Sequence, residues 1–274
     1  MIFFAILSAL GFGLANGLAQ QYVRDIGIAR TLLVRSIVSA LILAALFVLW
    51  PHPLSVEGVV VAAIVAVFGI VAVYAFYRAL GVGISGIVTP IANSAVIVTV
   101  LTAALVFSES LSTLHYLLIG MIILGVIALS HDGSRLASRG IGFALLAMVG
   151  WGLSYAFLII PTMMVGPIAT PLVGELLIVL LAGSIVLYRR ESVPRSSLVP
   201  LTAIGVCIVA GVAGFTFALD STPVSIVAAI SASNPLVTAL YMRVVHGESL
   251  STLQRIGSVL VFAGVIVLSF LSAA

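Results

Sequence analysis

Apolar residues run along this chain in stretches of about 20, broken by short clusters of Pro, Gly and charge. A helix needs about that length to cross a bilayer. Ten such spans are predicted, at 2–21, 31–50, 57–79, 84–106, 113–130, 141–160, 168–188, 198–219, 223–243 and 252–271. Strands of membrane barrels are shorter and alternate polar with apolar residues, which these runs do not. Several connections are only a few residues long, so neighbouring helices are antiparallel. The pattern predicts an all-α integral membrane protein with ten transmembrane helices.

The connections carry a second pattern. Glu-Ser-Leu-Ser-Thr-Leu occurs at 109–114 and again at 248–253, an offset of 139 residues. At that offset Gly11-Phe12-Gly13-Leu14 falls on Gly150-Trp151-Gly152-Leu153, Thr31 on Thr170 and Phe76 on Phe215. Gly125-Val126-Ile127 falls on Gly264-Val265-Ile266, and no gap is needed from Gly11 to Ser130. One five-span unit is duplicated, at 1–130 and 140–274, with the polar stretch 131–139 as linker. Five is odd, so the second unit enters the membrane from the other side. The expected architecture is two inverted five-helix repeats.

Composition agrees on the solvent. Hydrophobic residues make up 63% of the chain and charged residues 7%, against about 25% charged in soluble domains. The mean hydropathy is +1.38. The apolar run starts at Met1 with no small-residue cleavage site after it, which reads as a retained helix rather than a signal peptide.

The charges are all Arg on the basic side, and their positions set an orientation. Arg24, Arg30, Arg78, Arg135, Arg139, Arg189, Arg190, Arg195, Arg243 and Arg255 all fall on one predicted face. Both termini and the connections after spans 2, 4, 6 and 8 carry none. Arginine-rich loops stay cytoplasmic, so a multi-pass cell-membrane protein with both termini outside is expected. Scattered over short loops, these arginines give no nucleic-acid surface.

Other chemistries find no support. Cys207 is the only cysteine, which excludes a disulfide framework and a Cys-based metal site. His52, His115, His131 and His246 lie in loops or at helix ends without metal-ligand spacing, and there is no Gly-Lys nucleotide loop. No catalytic set, metal or cofactor is expected, and ATP is not the energy source.

Two halves that each open with a Gly-aromatic-Gly helix and close on a Glu-x-Leu turn resemble the EamA family of the drug/metabolite transporter superfamily. The residues that carry the likeness are Gly150-Trp151-Gly152, Gly11-Phe12-Gly13, Asn234-Pro235-Leu236 and the two Glu-Ser-Leu turns. The resemblance implies a ten-helix carrier of small organic solutes, often an exporter of amino acids or other metabolites. It also implies a central cavity lined by the first four helices of each half, with spans 5 and 10 peripheral. The first half departs from the second in having Ala95-Val96 where the second has Asn234-Pro235.

Transport by alternating access needs polar groups near the midplane between two halves that can rock. A charge there costs about 2.5–3.5 kcal/mol on insertion scales, which makes it a functional candidate. Glu175 stands about seven residues into span 7. It could bind a substrate amine, carry a coupling proton, or serve as a structural partner for Arg35. Arg35, one turn into span 2, could recognise an anion or snorkel to the interface. The two enter from opposite faces and could meet only near mid-membrane. Trp151 and Tyr155 share a face of span 6 and could stack on an apolar or cationic solute, as could Tyr74 and Tyr77 on span 3. Asn16 aligns with Tyr155 across the repeat, and Asn93 and Asn234 place amides on spans 4 and 9. Near Pro90 and Pro235 the helical ladder loses a donor and frees a carbonyl.

Three further features read as structural. Glu109 and Glu248 belong to turns whose hydroxyls cap the following helix, and Asp220 reads as a cap for span 9. Gly120, Gly125, Gly257 and Gly264 permit close helix approach and, with it, a homodimer. The leading expectation is a secondary carrier of a small molecule in the lipid bilayer, with proton coupling as a candidate energy source; a passive facilitator, exchanger or channel-like permease of the same fold is the alternative.

Overall fold

The computed structural model describes residues 2–82, 91–130, 140–246 and 251–273. The predicted linker 131–139, together with Pro90 and Glu248, lies outside the described residues. The described chain is helical throughout. In order, the helices are α1 (Ile2–Ile26), α2 (Ile28–Leu49), α3 (Val56–Val82), α4 (Ala95–Val106), α5 (Thr113–Ser130), α6 (Ile141–Phe157), α7 (Ile159–Tyr188), α8 (Leu198–Ala218), α9 (Val224–Ser231), α10 (Asn234–His246) and α11 (Thr252–Ala273). Among the described residues seven segments are long and apolar enough to cross a membrane, α9 and α10 counting together as one. Three shorter apolar helices, Ile91–Val106, Thr113–Ala128 and Ile141–Phe157, accompany them. The outward faces are rich in exposed Leu, Val, Ile and Phe, a surface that only lipid can solvate. The chain is a multi-pass membrane protein.

The packing reproduces the sequence repeat contact by contact. α1 packs on α8, as α6 packs on α3; α2 packs on α7, and α5 on α11. A Cβ at Gly11 would run into the backbone of Cys207 and Gly211, and one at Gly150 would meet Phe68 and Ala72. Each of these residues is 139 positions from its counterpart. Gly13 abuts Asn234 and Val237 just as Gly152 abuts Ala95 and Val98. The Thr99 hydroxyl donates to the Gly152 carbonyl at 3.0 Å, and Thr238 donates to Gly13 at 2.8 Å. Small residues here let helix backbones touch, which is how helices associate where no hydrophobic force acts between them.

Gly125 and Gly264 serve the same purpose between α5 and α11, so the close approach expected of these helices occurs within the chain. Gly120 has no neighbour at its open position.

Two breaks shape each half. Gly27 and Gly166 both adopt a left-handed φ, near +89° and +87°, which a side chain would resist. Each is followed by a threonine, Thr31 or Thr170, whose hydroxyl donates back to the glycine carbonyl at 2.9 Å. Predicted span 6 therefore ends earlier than expected, near Leu158, and a short helical stretch leads to the Gly166 break. The second break is a tight turn at Ser94 and at its counterpart Ser233. The Ser94 amide donates to the Ile91 carbonyl, and the Ile97 amide to Ser94. Ser233 and Leu236 do likewise with Ile230 and Ser233. The first half makes this break without an Asn-Pro pair, so proline is not its cause.

Candidate functional site

A cavity lies between the two halves. It offers about 190 Å³ to the centres of water-sized molecules, where a single water needs about 10–15 Å³. Residues from α1–α4 and α6–α10 line it, while α5 and α11 contribute none among its described lining residues. The peripheral placement expected for spans 5 and 10 is what the structure has.

The charged groups among its described lining residues form a buried ion pair. Arg35 from α2 and Glu175 from α7 are 3% and 4% exposed, so snorkelling of Arg35 does not occur. The Arg35 Nη1 donates to Glu175 Oε1 at 3.1 Å and lies 3.5 Å from Oε2. The pair joins the two repeats where α2 and α7 cross. Burial of both charges is tolerated because each neutralises the other. The match is incomplete, since Arg35 Nε is buried without a hydrogen-bond partner, as is the neighbouring Ser36 hydroxyl. Tyr77 from α3 is buried and lines the same cavity.

Amides form a second polar patch. Asn16 Nδ2 donates to Asn234 Oδ1 at 3.3 Å, tying α1 to α10 across the repeats. Asn234 Nδ2 in turn donates to the Ser231 carbonyl at 3.1 Å. That carbonyl would ordinarily accept from residue 235, where proline has no N–H. Asn234 thus repairs the ladder that Pro235 breaks. The same logic operates at Pro171, whose missing donor orphans the Pro167 carbonyl; Thr216 supplies a hydroxyl at 2.6 Å. Asn93 also lines the cavity. The Ser231 hydroxyl, on the cavity wall, is buried and unpartnered.

Aromatic rings fill the walls between. Phe76 and Trp151 have centroids 5.0 Å apart, Tyr155 stacks on Phe215 at 4.9 Å, and Phe12 approaches Tyr155 at 6.2 Å. Trp151 and Tyr155 are therefore gathered as expected, with Asn16, Asn93, Asn234, Arg35 and Glu175. Tyr74 is not. It is 47% exposed and outside the cavity lining, because a position three residues from Tyr77 lies far enough round α3 to face outward. Tyr77 is the tyrosine of this helix that lines the cavity.

Three contacts join segments that lie far apart in the sequence. Glu109 does not act locally: its Oε2 accepts from the backbone N–H and the hydroxyl of Ser225, in the first turn of α9. Asp220, expected to cap that helix, is exposed, and no side chain at the helix's own N-cap position, Pro223, does so. The turn hydroxyls that do cap are Ser112, which accepts from His115 N–H, and Ser251, which accepts from Gln254 N–H. Arg30 reaches the α7–α8 connection, with its Nε 3.4 Å from Glu191 and its Nη1 donating to the Ser192 carbonyl at 3.1 Å. His52, between α2 and α3, packs on Gly166. None of these long-range partners leaves a local signal in sequence.

The fold and cavity define a duplicated helical membrane protein whose polar groups converge between its halves. The EamA-like transporter family model matches residues 1–131 and again residues 138–270. The chain belongs to the EamA-like transporter family, within the drug/metabolite transporter superfamily, whose members are transporters rather than enzymes. No curated protein matches the sequence. One solved structure, titled "Crystal structure of protein", superimposes with a TM-score of 0.78 over 99% of this chain and 96% of its own, at 18% identity. That likeness concerns the fold alone.

Proposed function

We propose that this transporter is an alternating-access carrier with ten spans in two inverted five-helix repeats, and that it holds a small organic solute in the cavity between them. The observation that carries the reading is the buried Arg35–Glu175 pair, placed where the repeats cross and lining a cavity rich in aromatic rings. A carrier must expose its site to each face in turn, and paired halves joined at a central polar contact can rock about it. Glu175 is the group that couples solute movement to protons, because it is the one acidic residue among the described residues lining the cavity.

The loop contacts support the topology. Connections predicted to share the arginine face touch one another, at Arg30 and Glu191. Those predicted for the opposite face also touch, at His52 with Gly166 and at Glu109 with Ser225. The arginine face is cytoplasmic by the charge rule, which places both termini outside.

Counterflow in proteoliposomes tests the function: a carrier shows saturable exchange between two solute pools, whereas conduction without saturation would replace it with a channel. Glu175→Gln is expected to abolish pH-driven transport while the protein stays folded in the membrane. PH-driven uptake at the wild-type rate in that variant would remove Glu175 from the coupling role.

A further inference from the structure

We infer that the cavity takes an organic monocarboxylate with an aromatic or bulky apolar body, and that each anion enters together with one proton. This rests on the carrier reading above and names the solute class for the same site.

The argument begins with what each buried charge can do. An arginine guanidinium keeps its charge in proteins, whereas a carboxylate is neutralised by a single proton. A cationic solute would have to draw Glu175 away from Arg35, stranding a guanidinium that cannot discharge. An anionic solute would draw Arg35 away from Glu175, and Glu175 can then accept a proton from the aqueous side. Only the second exchange keeps the net charge of the buried site at zero, and buried charge without a partner is what such a site cannot sustain.

Arg35 is among the residues that line the chamber. Arg35 presents only Nη1 to Glu175, while its Nε is buried and unpartnered. A planar guanidinium with a spare donor is suited to receive a second carboxylate oxygen. Beyond the ion pair and the amide patch of Asn16, Asn93 and Asn234, the wall is mostly apolar, with the rings of Phe12, Phe76, Trp151, Tyr155 and Phe215 around it. Rings of this kind stack on a flat apolar body. The other titratable groups facing the chamber are Tyr77 from α3 and Tyr155 from α6. α1, α4, α8, α9 and α10 contribute none among the lining residues. No second cation therefore competes for the anion, and no second carboxyl competes for the proton.

Isothermal titration calorimetry on the purified full-length protein, in two buffers of different protonation heat, tests this with phenylacetate, phenethylamine and phenylalanine. Phenylacetate is expected to bind at least about tenfold more tightly than phenethylamine, with one proton taken up per anion. Its affinity should fall by about tenfold per pH unit above neutrality, the slope for one linked proton. Glu175→Gln, which cannot ionise, should bind phenylacetate without proton uptake and without that slope, and Arg35→Gln should lose it. The wild-type proton count stands even if either variant fails to fold. Tighter binding of phenethylamine, binding of phenylalanine alone without proton uptake, or no binding of phenylacetate would each overturn the inference. Phenylacetate binding in a protein that shows no counterflow would instead overturn the carrier reading and leave the site standing.

Discussion

Glu109 and Ser225 lie 116 residues apart in sequence, yet the carboxylate of one accepts both the backbone N–H and the hydroxyl of the other. A residue in a turn of the first repeat thus caps a helix of the second. The first N–H groups of any helix lack intrahelical partners, and a carboxylate placed there also complements the helix dipole.

Replacing Glu109 by alanine is therefore expected to cost about 1–2 kcal/mol, the usual range for a lost cap. Ser225→Ala should cost less, because the backbone bond survives. Thermal unfolding in detergent reads both, and an unchanged midpoint for Glu109→Ala would show that the cap adds nothing.

Close helix approach makes the interface glycines intolerant. Gly11→Ala and Gly150→Ala put a methyl group against backbone atoms of α8 and α3, and overpacking of that kind costs about 1–3 kcal/mol. Gly120→Ala and Gly142→Ala meet nothing within 4 Å and should be neutral or stabilising, by up to about 1 kcal/mol from helix propensity. Comparing the four unfolding midpoints checks whether the mirrored contacts, rather than glycine content, hold the halves together.

The buried ion pair should behave as a unit. Arg35→Leu or Glu175→Leu alone leaves a buried charge without its partner, which typically costs about 3–5 kcal/mol. The double substitution is expected to recover most of that loss and to remain folded without transport. A double-mutant cycle on stability measures the coupling; simple additivity would mean that the two side chains do not interact.

Position around α3 separates the two candidate tyrosines. Tyr74→Leu should leave counterflow within about twofold of wild type, because it faces outward from α3 and surface substitutions away from special contacts change little. Tyr155→Ala removes a ring stacked on Phe215 in the chamber wall and should lower solute affinity at least about tenfold, consistent with the cost of losing a buried aromatic contact. Equal effects of the two substitutions would contradict the placement of the site.

Much of this architecture is legible in the chain because it depends on local patterns. Hydrophobic runs mark helices, and the 139-residue offset marks the duplication; once one glycine contact is seen, the offset gives its mirror in the other half. The meeting of Arg35 with Glu175 is legible too, since two opposite charges in apolar helices have few other places to go. What is hidden depends on rotation about a helix or on partners far along the chain. The outward turn of Tyr74 follows from how α3 is wedged against α6 and α7. The turn at Ser94 has no proline to announce it, and it is visible only because Ser233 makes the same bonds in the other half. Glu109 sits in a repeated motif that invites a local explanation, while its partner lies beyond any window in which a local pattern could be read.

The pairing of one arginine with one carboxylate at the crossing of two equivalent helices depends on a difference between the repeats. Two separate copies of a single five-helix unit, related by a twofold axis, would carry the same groups on both helices. Fusion allows position 35 to be Arg while its counterpart 174 is Gly, and position 175 to be Glu while its counterpart 36 is Ser. The contact at the crossing is therefore one-sided, its cation drawn from the first repeat and its anion from the second.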